Sequence, residues 1–98
     1  MLPEKEYRFD FEKSKKLRIE RGIGFEEIIA LLDETHILNV EQHPNQIRYP
    51  NQKVYTVSVD AYAYLVPFVS NEKEIFLKTI IPSRKATARY FGKDGKRI

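Results

Sequence analysis

The chain has 98 residues, enough for one domain with a modest core and a site on its surface or in a shallow cleft. Hydrophobic residues make up 42% and charged residues 32%, which excludes a disordered chain; with no cysteine, disulfides, thiolate zinc sites and cysteine nucleophiles are excluded too. The net charge of +3 is unevenly placed, because from Ser83 onward Arg84, Lys85, Arg89, Lys93, Lys96 and Arg97 stand against Asp94 alone, an asymmetry that suits a polyanion or an acidic protein.

Met1 to Glu6 lacks the apolar core of a signal peptide, and no run is long enough to cross a bilayer, so a cytoplasmic protein without membrane contact is expected. Tyr7 to Phe11 alternates as a short strand does. Asp10 is suited to cap a helix that runs through Arg21 and ends at Gly22, packed along a thin seam with Lys15, Arg18 and Arg21 exposed. Gly22-Ile23-Gly24 is a tight connection and, lacking a third glycine, no phosphate loop. Phe25, Ile28, Ile29 and Leu32 fall at i, i+3, i+4 and i+7, one core face of a second helix that should run out near Asp33-Glu34-Thr35. Gly24 offers that helix no side-chain cap, while Glu26 and Glu27 suit its first turn.

Ile37 to Val40 is a strand candidate. Glu41 to Gln52, polar and holding Pro44 and Pro50, reads as a long loop, a kind of connection that tends to be functional or mobile. Three strands follow: Lys53 to Val59, Tyr62 to Val69 and Glu74 to Ile81. In the last, Ile75, Leu77 and Ile81 are expected on one side and Phe76, Lys78 and Ile80 on the other. Pro67 should interrupt the ladder of the middle strand. The row Tyr62, Tyr64, Val66, Phe68, with no basic residue interleaved, reads as sheet core or as a surface that a partner covers. The expected fold is α+β and one domain over residues 1–98: two N-terminal helices, an antiparallel β-meander of about four strands and a short basic C-terminal helix, with residues 93–98 frayed.

The closing helix starts where Ile80-Ile81 runs through Pro82 into Ser83, a good N-cap. Its first turn carries Arg84 and Lys85, where the helix dipole alone favours anions, so a phosphate partner is suggested; solvated charge on a surface helix is the plainer alternative.

Taken together, Phe9-Asp10-Phe11-Glu12-Lys13, Arg21 to Ile28, His43-Pro44-Asn45-Gln46, Tyr49-Pro50-Asn51-Gln52 and Phe76 to Thr87 resemble the BrnT-like toxins of bacterial type II toxin-antitoxin pairs, in particular a sister branch with a Pro-Asn-Gln loop. The resemblance implies a compact relative of the RelE-like ribonuclease fold and an endoribonuclease that halts translation. It also implies a cognate antitoxin with a ribbon-helix-helix DNA-binding domain, through which alone DNA would be engaged.

Metal-free RNA cleavage needs a base for the 2′-hydroxyl proton, an acid for the leaving oxygen and cations for the charge growing on phosphorus. Arg84 and Lys85 can stabilise that charge, Arg48 can add a phosphate contact from the long loop, and Ser83 and Arg89 can extend the phosphate track, although Arg89 can equally lie in solvent. His43 suits a base or acid, or a residue that stabilises the turn before Pro44; Tyr49 suits a stacking platform or phenol donor, or a half-buried loop anchor. His36 reads as structural. The two imidazoles lack the i,i+4 spacing of a metal pair, so no metal and no cofactor is expected. Two further readings fit the same charges: a protein that grips RNA or a ribosomal surface without cutting, and an interaction module whose basic helix binds an acidic antitoxin.

Overall fold

Asp10 opens the first helix in the computed structural model, which describes residues 5–92. Its carboxylate accepts the backbone N–H of Lys13 at 3.0 Å, helix α1 runs Phe11–Arg21, and Gly22 closes it in the left-handed region at φ 77°. Only Ser14 and Leu17 of α1 are buried, so the contact with the rest of the molecule is a narrow one.

Helix α2 (Phe25–Ala30) begins without a side-chain cap of its own, and Ser14 of α1 supplies one. The Phe25 N–H donates to Ser14 Oγ at 2.9 Å, and the Ser14 hydroxyl donates to Glu26 Oε1 at 2.5 Å. Arg18 joins the same end: Nε and Nη2 reach the two carboxylate oxygens of Glu27 at 2.9 and 2.8 Å, and Nη2 reaches Glu26 at 2.8 Å. A Cβ at Gly24 would lie 2.7 Å from Arg18 Nη2 and 2.8 Å from Ser14 Oγ, so glycine is what lets the network close. Chiefly through the hydrogen bonds from Arg18, the Glu27 carboxyl is held down to about 2.

The expected end of α2 near Asp33-Glu34-Thr35 is corrected to Ala30. Leu31 and Leu32 tighten onto Ile28 and Ile29, and Asp33 Oδ1 accepts the backbone N–H groups of Thr35 and His36 at 2.9 Å each, turning the chain away from the helix axis.

Six strands follow the order β1-β5-β4-β3-β2, with β6 also on β4: β1 Glu6–Arg8, β2 Ile37–Gln42, β3 Lys53–Val59, β4 Tyr62–Ser70, β5 Glu74–Leu77 and β6 Ile81–Pro82. The antiparallel meander of about four strands is therefore corrected to a mixed sheet, because β1 pairs with β5 in parallel, Tyr7 opposite Ile75. That pairing joins strands far apart in the chain and leaves no local turn signal. β2 runs two residues beyond Val40, and the His43 N–H to Gln52 carbonyl bond at 2.8 Å continues its ladder, which shortens the loop.

The run from Glu74 to Ile81 is two strands, and the expected facing of Ile80 and Ile81 is reversed. Pro67 directs its carbonyl to the β5 side, where it accepts the Lys78 N–H at 2.8 Å, and it has no N–H to return. The ladder on that edge of β4 stops at the proline, and pairing resumes with Ile81 opposite Leu65. Across the gap the alternation slips, so Ile80 is fully buried and Ile81 is 40% exposed.

One face of the sheet carries Tyr55, Val57, Val66, Phe68, Ile75 and Leu77 into the core against Leu17, Phe25 and Ile28. Val66 and Phe68 of the aromatic row are buried, with Tyr64 partly so, as the core reading expects. The opposite face, bearing Thr56, Leu65 and Pro67 at paired positions, is where the C-terminal helix α3 (Arg84–Phe91) sits. Ser83 caps α3 through the Ala86 N–H at 3.0 Å. Ala63 of β4 accepts the Ser83 N–H at 3.0 Å and donates its own N–H to Thr87 Oγ1 at 2.8 Å, which pins the start of α3 to the sheet. The expected fraying of residues 93–98 lies outside the described residues, and among those described no helix is long and apolar enough to cross a membrane.

Candidate functional site

Two neighbouring hollows occupy the face of the sheet that bears α3. The first, of about 200 Å³, is lined from β2 by Asn39 and Glu41, from the sheet centre by Thr56 and Leu65, and from α3 by Lys85, Arg89 and Tyr90, with Ser83 at the cap. Lys85 and Arg89 are one turn apart and therefore share a helix face. None of the ion pairs among the described residues uses Arg84, Lys85, Arg89 or Glu41. The hollow thus brings a carboxylate, two cations, a phenol and an amide to one place, which is the equipment for binding a phosphate ester and moving a proton beside it.

The second hollow, of about 390 Å³, holds His43, Tyr49 and Gln52 from the loop, Phe76 and Lys78 from the region of β5, Lys13 from α1 and Ile81. Leu65 lines the first hollow and its ladder partner Ile81 the second, so that pair stands between them. The loop is built from its own polar groups. Tyr49 N–H donates to the Asn45 carbonyl at 2.9 Å, Arg48 N–H to Asn45 Oδ1 at 3.0 Å, and Gln46 Nε2 to the His43 carbonyl at 2.6 Å.

His43 Nδ1 accepts the Asn45 N–H at 3.0 Å, which places its ring proton on Nε2 and gives the side chain a part in the turn at Pro44. Its ring lies 4.4 Å from that of Tyr49, and the Arg48 guanidinium sits 5.6 Å over the other residue of that pair, Tyr49. His36 is a turn residue, its Nδ1 2.9 Å from Asp33 Oδ1.

The sequence-predicted residues therefore divide. Ser83, Lys85 and Arg89 line the first hollow, His43 and Tyr49 the second, Arg48 stands over Tyr49, and Arg84 on the first turn of α3 lines neither. Glu41 and Phe76 were missed. Glu41 falls on the polar side of an edge strand, where an acid is ordinary; only the packing of α3 beside it makes it notable. Phe76 reads as half of a strand's apolar alternation, yet it is 38% exposed.

Among the described residues no three His, Asp or Glu side chains gather as a metal ion would require. Compared with known families, curated proteins and solved structures, the chain matches no family model, no curated protein and no solved structure.

Proposed function

We propose that the protein is the toxin of a type II toxin-antitoxin module, a metal-independent endoribonuclease whose reaction centre is the first hollow. The observation that carries this reading is the meeting of Glu41 with Lys85 and Arg89 around one concave surface. In the proposed reaction Glu41 takes the proton of the RNA 2′-hydroxyl, the 2′ oxygen attacks phosphorus, and the bond from phosphorus to the 5′ oxygen breaks. The departing oxygen receives a proton from the Lys85 ammonium or the Tyr90 phenol, leaving a 2′,3′-cyclic phosphate and a 5′-hydroxyl. Lys85 and Arg89 offset the negative charge that grows on the phosphoryl oxygens, with Arg84 adding to the field at the helix start. Nothing in this scheme asks for a base from the loop, where the His43 Nδ1 lone pair is already engaged. A cognate antitoxin would neutralise the protein most simply by laying acidic side chains on the same cations.

The test is purified protein, freed of any partner, incubated with single-stranded RNA in EDTA and followed by mapping of the new ends. Cleavage to cyclic phosphate ends, lowered roughly 100-fold or more in Glu41→Gln and in Lys85→Ala, supports the proposal. RNA left intact by excess protein overturns the enzyme reading. If such protein still binds RNA, and Lys85→Ala weakens that binding, the non-catalytic reading takes its place.

A further inference from the structure

We infer that the second hollow is a nucleobase-stacking subsite for single-stranded RNA, adjoining the first hollow across Leu65 and Ile81; this rests on the proposal that RNA is the substrate. Isolated exposed apolar side chains are ordinary on a protein surface, but here three of them converge. Tyr49 is 37%, Phe76 38% and Ile81 40% exposed, and all three line the same depression. A hollow of about 390 Å³ is in the size range of small-ligand sites.

Charge decides between occupants. Lys78 Nζ lies 5.3 Å over the Phe76 ring and the Arg48 guanidinium 5.6 Å over the Tyr49 ring, and Lys13 lines the same hollow. An apolar protein segment would have to bury these cations, whereas a nucleotide uses both features at once: its base takes the ring face and its phosphate takes the displaced cation. Asp10, the one acid on the lining, already spends Oδ1 on the Lys13 N–H of the helix cap. The Gln52 amide and the Thr79 hydroxyl stand at the same hollow and can meet the edge of a base.

Phe76 and Lys78 stand two residues apart on one side of the chain, as strand alternation expects, and the ladder to β4 ends just there. Phe76 is the last residue of β5 to face outward before the break, and Lys78 is the residue whose N–H closes on the Pro67 carbonyl. The i,i+2 spacing sets an ammonium beside an aromatic ring, at the point where pairing with β4 stops.

The test is fluorescence anisotropy with a fluorescein-labelled hexamer of 2′-O-methyl uridine, which lacks the hydroxyl that cleavage needs, and with the same hexamer made abasic at its central positions. Phe76→Leu is expected to weaken binding of the intact hexamer about tenfold, Phe76→Tyr to keep it, and the abasic hexamer to bind parent and Phe76→Leu alike. Equal affinity of the parent for intact and abasic hexamers overturns the subsite while leaving the ribonuclease proposal standing. Stacking that depends on Phe76 in a protein that cuts no RNA overturns the ribonuclease proposal and leaves the subsite. Failure to bind any hexamer overturns the subsite, and the cleavage assay in EDTA then decides the ribonuclease proposal by itself.

Discussion

The backbone N–H of Phe25 donates to the hydroxyl oxygen of Ser14, 2.9 Å away and eleven residues earlier, so the cap of α2 comes from α1. Both groups are buried, with Ser14 1% and Phe25 0% exposed. Ser14→Ala leaves a buried donor without a partner and should cost about 1–2 kcal/mol in urea unfolding. Gly24→Ala should cost at least as much, because its methyl would displace Arg18 and Ser14 together. A loss for either variant no greater than that of an ordinary surface substitution would show that the helices are held by Leu17 and Phe25 alone.

Stability should fall with acid, and Arg18 should govern part of the fall. The Glu27 carboxyl is held down to about 2 in the folded protein, and the Glu26 carboxyl is lowered as well, first by the hydrogen bond from Ser14. An unfolded glutamate titrates near about 4.3, so the contribution of Glu27 is present above that value and is lost as pH falls towards about 2. The groups are well exposed, which makes the effect modest and sensitive to salt. Urea midpoints measured at pH 7, 4 and 3, values chosen to span that window, should decline less steeply in Arg18→Gln than in the parent. Identical slopes would mean that the ion pair does not form in solution.

Ile80 and Ile81 are adjacent isoleucines with opposite fates. Ile80→Ala empties a fully buried position and should cost about 2–5 kcal/mol, whereas Ile81→Ala, at a position 40% exposed, should cost under about 1 kcal/mol. An uninterrupted strand from Glu74 to Ile81 would give the reverse order, so the pair reports directly on the break at Pro67.

Asp60 and Ala61, the turn between β3 and β4, have φ of 50° and 62°. Both lie in the left-handed region that a two-residue hairpin of this twist requires, and alanine is strained there. Ala61→Gly should therefore stabilise the protein by about 0.5–1 kcal/mol, even after the greater freedom of glycine in the unfolded chain is counted. A loss of stability would place the turn in another conformation.

Legibility in the sequence tracked how local each determinant is. Asp10, Gly22 and Ser83 act within four residues of themselves, and their helices begin and end where these types predict. Pro67 announced an interruption, but which neighbour it would interrupt depended on the direction of its carbonyl, and so the slip between Ile80 and Ile81 was not legible. The parallel contact of Tyr7 with Ile75 leaves no mark near either residue. The same distinction runs through the candidate site. Lys85 and Arg89 stand out as an unbalanced helix face, whereas Glu41 gains meaning only from what folds beside it, and Phe76 only from what does not.

Ala63 gives both of its backbone groups to the start of α3, the carbonyl to Ser83 and the N–H to Thr87. The helix therefore cannot slide along β4 without breaking two bonds at a fully buried residue. Slow solvent exchange should extend from the strand into the first turn of the helix, and a partner arriving at Lys85 would meet a surface whose shape is already set, so that the ordering entropy of the encounter would fall on that partner.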